Sequence, residues 1–519
     1  MNDKTPHERA KNKIEFEISK KIQSTIESSK NGGIGELFYY LHYLHVIRLI
    51  PQTQDIPDSE LNMVLIYNNH LNDAYKYLIQ IFYVNAIDVA TPINLKDISI
   101  NSEIVQSLTK RTFEINSNYE NLTFITMSEN LKVYGERDRY LRMDFGEVLN
   151  NPRTKKFFEY NLRIDRDNEF HKQNLQLKDD LLKNFEKEYQ PYSDLFKNEL
   201  NIELKTFIML IDFIINTITE QINSNESNFV NIDEDKIDVN ALGTIVNFAN
   251  SLFIDKNKLY SNFGDNIKKI LNKLTFDINL YNANELRYNQ VARQPIFDFG
   301  DKYLISPELL LDSLFINLHY TLLEGFESKE QYKDKYASTF LDKIVEVSKK
   351  HDFKEVAREL DLYQGKNQIG DIDLIIKNSK NDFILIEAKN HSLPLDVYFH
   401  DYQPTRKRLS YLQKEWERKV AKRRKHILIN HSKYGIPSNF KYIIVSKNPE
   451  ILSHFSDYLT LSLEEFDYYL NQKNLDMTFQ EIFDEIYRID DDRFTPEQLE
   501  KLRTDLSPGT FLERNKNGS

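Results

Sequence analysis

Two short apolar runs in the C-terminal half carry residue types that can do chemistry. One is Gly370-Asp371-Ile372-Asp373-Leu374-Ile375-Ile376, the other Phe383-Ile384-Leu385-Ile386-Glu387-Ala388-Lys389-Asn390. Both are rich in Ile and Leu and bounded by polar residues, which predicts two β-strands. The break between them, residues 377–382, has the composition of a hairpin loop, so the strands are expected to be antiparallel neighbours. Side chains alternate across a strand, so Asp371 and Asp373 share one face, as do Glu387 and Lys389. Ile372, Leu374, Ile386 and Ala388 take the opposite face. Asp373, Glu387 and Lys389 then converge at the end of the hairpin.

Two carboxylates beside an ammonium suit a hard cation such as Mg²⁺, which takes oxygen ligands and keeps several waters. A metal so placed polarises a phosphoryl oxygen and delivers a water for in-line attack. Lys389 cannot ligate the ion as an ammonium. It can hold the attacking water or neutralise charge in the transition state, and the residues fit a base and an electrostatic anchor equally. The carboxylates favour its charged form and the metal opposes it. The competing reading is a surface hairpin with cross-strand ion pairs. A Glu-x-Lys by itself says little, whereas two ordered half-motifs, each set in an apolar strand, say more.

Gly370-Asp371-Ile372-Asp373 followed by Ile386-Glu387-Ala388-Lys389 resembles the PD-(D/E)XK nuclease superfamily, the restriction-endonuclease-like fold. The resemblance implies that Asp373 is the aspartate of the first half-motif and that Glu387 and Lys389 are the E and K of the second. It implies a metal, Mg²⁺ or Mn²⁺, held by Asp373, Glu387 and the backbone carbonyl of Ala388. The first half-motif departs from a literal Pro-Asp. Members often carry a further acid on the first helix. Asp342 and Glu346 lie one turn apart there and Asp342 falls closest to the usual position, although a solvated helix face accounts for both equally well.

The elements that must position these residues read as helix 338–350, strand 354–363, the motif hairpin, helix 404–426 and strand Lys441–Ser446. This αβββαβ order matches the superfamily core over residues 336–470. The helix after the motif contains Arg406, Lys407, Arg408, Lys414, Arg418, Lys419, Lys422, Arg423, Arg424 and Lys425, with Glu415 and Glu417 as its only acids between Thr405 and Lys425. Beside a metal site such a helix can track a phosphate backbone. Arg406, Arg408, Lys414, Arg418, Lys422 and Arg423 are the expected nucleic-acid contacts. The plain alternative is a solvated face. Trp416, the sole tryptophan, can stack on a base or pack into its own domain.

The chain has 519 residues, enough for two to four domains, and 40% of them are hydrophobic. A formal net charge of −12 argues against coating nucleic acid with the whole surface, so any contact must use a local basic patch. With no cysteine, disulfides, thiolate zinc sites and cysteine nucleophiles are excluded. The first 20 residues lack the apolar core of a signal peptide. The most apolar helix, 204–222, contains Asp212, Asn216 and Glu220 and reads as buried rather than membrane-spanning. A cytoplasmic location without membrane association is expected.

Residues 1–290 are expected to be a mainly α-helical region with subdivision points near 92–145 and 223–230. Ile14, Ile18, Ile22 and Ile26 recur at helical spacing. Residues 35–50 read as a helix stopped by Pro51, with packed His42 and His45 on one face. Gly32-Gly33-Ile34-Gly35 lacks a lysine or preceding strand and reads as a helix-to-helix turn, not a phosphate loop. Parts of 92–143, namely 93–100, 111–115 and 122–127, have the β-branched and aromatic content of short strands. Arg111, Arg137, Arg139, Arg142, Arg163 and Arg166 offer a binding face there, against a default of scattered surface charge. Residues 291–335 read as a connecting hairpin, Ile296–Phe299 with Lys302–Ile305, then a helix capped by Ser306 and begun by Pro307 and running to about 324. Residues 471–519 read as helices, with a capping box at Thr495, and a disordered tail over 506–519.

The expected fold class is thus multidomain: a mainly α N-terminal region and a C-terminal α/β restriction-endonuclease-like domain. The expected function is a Mg²⁺-dependent DNA endonuclease, in microbial defence or restriction. The N-terminal region would recognise a target, regulate, or bind a protein partner or a second copy. The alternatives are an inactive nuclease-fold module for nucleic-acid binding or assembly, and an RNA-directed or repair nuclease.

Overall fold

The computed structural model describes residues 5–53, 58–87, 93–94, 97–127, 132–134, 142–144, 151–167, 178–226, 242–282, 290–314, 329–391, 393–398 and 400–487. Two compact units divide the chain. One comprises Met1–Lys155, Asp167–Asp342 and Leu393–Arg406; the other comprises Lys156–Arg166, Lys343–Ser392 and Lys407–Ser519. The sequence-predicted capping box at Thr495, the tail over 506–519 and most of the helix after Asp312 lie outside the described residues.

The first unit is mainly helical. It contains α1 (Pro6–Ser29), α2 (Ile34–Thr53), α3 (Asp58–Asn85) and α4 (Ser102–Met127). The short strands β1 (Lys132–Tyr134) and β2 (Arg142–Asp144) pair antiparallel, and α5 (Pro152–Asp167) follows. Then come α6 (Lys178–Tyr189), α7 (Ser193–Leu200), α8 (Leu204–Glu226) and α9 (Leu242–Ser251). The isoleucines Ile14, Ile18 and Ile22 are buried as their spacing requires, and α1 packs on α4 while α2 packs on α3. The strand β3 (Phe253–Asp255) joins β4 (Ile296–Phe299) and β5 (Lys302–Ile305) in an antiparallel sheet of order β3-β5-β4. Between β3 and β4 lie α10 (Lys256–Phe263) and α11 (Lys268–Leu274). Ser306 caps α12 (Pro307–Asp312) through its side chain, with Pro307 at the first helical position, as expected.

Three readings of this region need correction. Residues 111–115 and 122–127 are not strands but lie within α4, and no strand forms over the described part of 93–100. Val105, Leu108, Thr112 and Ile115 are buried at intervals of three and four, so the helical period of the buried face overrides local β-propensity. The helix α2 continues through Pro51 to Thr53, because a proline in the last turn removes only one backbone bond. Arg111 is not part of a binding face: it donates to the Ser24 carbonyl at 2.7 Å and to Ser28 Oγ at 3.0 Å.

The second unit is built on one mixed sheet. Its strands are β6 (Phe353–Gln364), β7 (Asn367–Asn378), β8 (Phe383–Lys389), β9 (Lys441–Ser446) and β10 (Thr460–Ser462), in the order β10-β9-β8-β7-β6. The first three are antiparallel neighbours, whereas β8, β9 and β10 run parallel. The helix α13 (Lys329–Lys350), of which the part from Lys343 belongs to this unit, precedes β6. Between β8 and β9 the chain forms α14 (Leu395–Tyr398) and α15 (Tyr402–Leu412), which belong to the first unit as far as Arg406, then a π turn over Gln413–Glu417 and α16 (Arg418–Asn430). The chain closes with α17 (Leu463–Leu470) and α18 (Phe479–Ile486). Leu374, Ile376, Ile384, Ile386, Ile444 and Leu461 are fully buried in the sheet, which explains its near-continuous apolar runs.

The segment of α5 that belongs to this unit supplies Arg163, which is 0% exposed. Its guanidinium donates to both carboxylate oxygens of Glu465 at 2.8 Å and to the Glu450 carbonyl at 3.0 Å. Arg163 therefore serves the core, contrary to the binding-face reading. Among the described residues no helix is long and apolar enough to cross a membrane.

Candidate metal centre

The hairpin β7–β8 brings the predicted residues together where the two strands part. Their pairing ends at Leu374 opposite Ile386. Beyond it, β7 stays with β6, pairing Ile372 with Leu360 and Asp371 with Asp361. The strand β8 stays with β9, pairing Glu387 with Ile444, Ala388 with Val445 and Lys389 with Ser446. Across the resulting fork, Asp373 Oδ2 accepts the Ala388 backbone N–H at 2.6 Å. Lys389 Nζ donates to Glu387 Oε1 at 2.7 Å and lies 3.8 Å from Asp373 Oδ2. Asp373, Glu387 and Lys389 thus form one cluster.

Two residues from outside the hairpin complete the surroundings of Glu387, which is only 3% exposed. Arg423 Nη1 on α16 donates to Glu387 Oε2, and its Nη2 donates to Asp371 Oδ1 at 3.1 Å. The Tyr442 hydroxyl on β9 donates to Glu387 Oε2 at 3.3 Å. Neither role was assigned from sequence. Tyr442 lies opposite Leu385 in β9, on the face that Glu387 shares, a register that the sequence alone does not show.

The electrostatics set the two carboxylates apart. Burial, and after it the charge of Glu387, push the Asp373 carboxyl up to about 7, against the opposing pull of Lys389 and the Ala388 N–H. Burial also works to raise Glu387, but the charges of Lys389 and Arg423 and their hydrogen bonds outweigh it and hold Glu387 below its ordinary value. The cluster of Asp371, Asp373 and Glu387 against Lys389 and Arg423 carries more acids than bases.

This donor set fits a hard divalent cation. Asp373 and Glu387 offer oxygen ligands, and a cation would offset the charge of Glu387 that, after burial, raises Asp373. Among the described residues no group of three or more His, Asp and Glu side chains is arranged to hold a metal. An ion here would therefore complete its shell with the Ala388 carbonyl and water, as Mg²⁺ commonly does. Asp342 and Glu346 are exposed on α13, one turn apart.

The basic helix divides into two kinds of residue. Arg406, Lys414, Arg418 and Lys422 are exposed. Arg408 instead donates from Nε to the buried carboxylate of Glu450 at 2.8 Å, and Arg423 is committed to Glu387 and Asp371. Trp416 is 5% exposed and stacks on the His391 ring with centroids 5.5 Å apart, so it packs in its own unit.

No protein-family model, no curated protein and no solved structure matches this chain.

Proposed function

We propose that the second unit is a metal-dependent phosphodiesterase centre of the PD-(D/E)XK type, acting as a DNA endonuclease. The observation that carries this reading is the convergence of Asp373, Glu387 and Lys389 at the fork of β7 and β8. The order of one helix, three antiparallel strands, a helical segment and a parallel strand supports it further.

Asp373, Glu387 and the Ala388 carbonyl would hold Mg²⁺ or Mn²⁺. Once bound, the ion supplies a Lewis acid for a phosphoryl oxygen and makes a water acidic enough to attack near neutral pH. The Ala388 N–H keeps the Asp373 carboxylate oriented by occupying one of its oxygens. Lys389, held by Glu387, presents a charged Nζ where negative charge develops in the transition state. The Tyr442 hydroxyl would help orient Glu387 through its hydrogen bond to Oε2. The exposed Lys414, Arg418 and Lys422 would contact the backbone of the substrate, and Arg406 extends the same basic run. The helical first unit is the proposed carrier of target or partner recognition, in a defence or restriction role.

A second reading, a nuclease-fold binding module without activity, draws on the ion pair of Arg423 with Glu387, which satisfies that carboxylate without a metal. A substrate panel separates the readings. Full-length protein incubated with duplex DNA, single-stranded DNA and RNA should cleave duplex DNA in Mg²⁺ or Mn²⁺ and cleave nothing in EDTA. Binding of duplex DNA without cleavage under every metal condition would favour the inactive module, and preferential cleavage of RNA would replace the substrate assignment.

A further inference from the structure

The seat of Arg423 is more specific than a salt bridge needs. Its guanidinium lies against the backbone of Gly370, whose φ is +135°. A Cβ placed there would come within 2.8 Å of Arg423 Nη2 and 3.0 Å of Cζ. No side chain can occupy position 370 unless the guanidinium moves, and the backbone conformation itself favours glycine. The two arms of the group then reach different acids, Nη1 to Glu387 and Nη2 to Asp371. The arginine side chain is 12% exposed, Glu387 4% and Asp371 38%. One arm is therefore buried on the carboxylate expected to hold the metal, and the other rests on an acid that faces solvent.

A guanidinium on Glu387 and a divalent ion on Glu387 compete for the same oxygens. We propose that Arg423 is the resident counter-cation of this site, which yields Glu387 to a divalent ion and, still held by Asp371, turns toward the phosphate of the substrate. This rests on the reading of the site as a metal-dependent phosphodiesterase centre. It gives Asp371, on the same strand face as Asp373, the task of pivot. It also explains why a basic helix residue is withheld from the exposed row formed by Lys414, Arg418 and Lys422. A planar, forked guanidinium can keep one arm on a carboxylate while offering the other to phosphate, which an ammonium cannot do.

Calorimetric titration of Mn²⁺ into the full-length protein tests this, paired with cleavage of duplex DNA at saturating Mn²⁺. An adjacent opposite charge changes the cation affinity of a carboxylate by roughly tenfold or more. Arg423→Gln should therefore bind Mn²⁺ about tenfold more tightly than wild type, yet cleave about a hundredfold more slowly for want of a phosphate donor. Asp371→Asn leaves Arg423 on Glu387, so it should not tighten Mn²⁺ binding but should still slow cleavage. It also reports on the pivot if Arg423→Gln fails to fold. Unchanged or weaker Mn²⁺ binding by folded Arg423→Gln overturns the competition, and wild-type cleavage by either variant overturns the turn toward phosphate. Absence of Mn²⁺ binding by wild type would instead overturn the underlying reading of the site and the proposal with it.

Discussion

Asp373 Oδ2 accepts the backbone N–H of Ala388 at 2.6 Å, where the ladder between β7 and β8 has already ended. A side chain thereby replaces a strand-to-strand bond. The carboxylate of one half-motif is locked to the residue between Glu387 and Lys389 in the other. The pairing of the strands ends without leaving that N–H unsatisfied.

The raised Asp373 carboxyl makes cation binding depend on pH. Burial and the charge of Glu387 push it up to about 7, against an ordinary 3.8, so below neutral pH a proton would compete with a cation for that group. Mn²⁺ must displace it, so affinity should rise by up to about tenfold per pH unit below 7 and level off above. Stability of the metal-free protein has the opposite slope. The native state binds more protons than the unfolded chain between about pH 4 and 7, so this group's contribution is present below that window and is lost as pH rises through it. Asp373→Asn should therefore gain in melting temperature over wild type at pH 8 relative to pH 5. Titrations at pH 6 and 8 that give equal Mn²⁺ affinity would contradict the shift.

Lys389→Ala should separate charge stabilisation from metal holding. Loss of one preorganised donor typically lowers turnover by about 10²–10³. Because Lys389 is itself a cation beside Glu387, its removal should not weaken Mn²⁺ binding. Glu387→Ala should abolish that binding. Calorimetry on both variants checks the pair, and wild-type turnover by Lys389→Ala would return the hairpin to a plain cross-strand ion pair.

Replacing the exposed Lys414, Arg418 and Lys422 together by Gln should weaken duplex binding at all sequences. If each meets one phosphate, the slope of log affinity against log salt should drop by about 2–3. A salt series by fluorescence anisotropy measures it, and an unchanged slope would remove this face from the interface.

Arg163→Ala should destabilise the second unit. Arg163 and Glu465 are both fully buried, and breaking such a pair from one side costs about 3–5 kcal/mol because a charge is left uncompensated. Trp416 is the sole tryptophan and is buried in the same unit. Its fluorescence during urea unfolding should show the midpoint shift, and a shift of less than a tenth of the wild-type midpoint would count against the burial of this pair.

The hairpin was legible because strand alternation and a polar loop are local signals, and Asp373, Glu387 and Lys389 needed only correct register to meet. The helices expected over 338–350 and 404–426 are legible from composition for the same reason, although the first begins earlier, at Lys329, and the second is interrupted by the π turn over Gln413–Glu417. The helix α4 was misread in part because β-branched and aromatic residues dominate short windows, while its buried face emerges only over several turns. Arg163 was read as surface charge because its partner lies about 300 positions away, beyond any periodic signal. The seat of Arg423 needs the positive φ of Gly370 and the packing of α16 on β7 at once, and neither is visible in one strand's pattern.

The most direct measurement is cleavage of a labelled DNA duplex in Mg²⁺ by wild type and by Asp373→Asn. The substitution preserves shape and still offers an oxygen to the Ala388 N–H, so the fold should survive. Wild type should cut, and the variant should show at least about a hundredfold loss that added Mg²⁺ does not restore. Cutting by the variant at the wild-type rate, or by wild type in excess EDTA, would contradict a metal centre at the fork of β7 and β8.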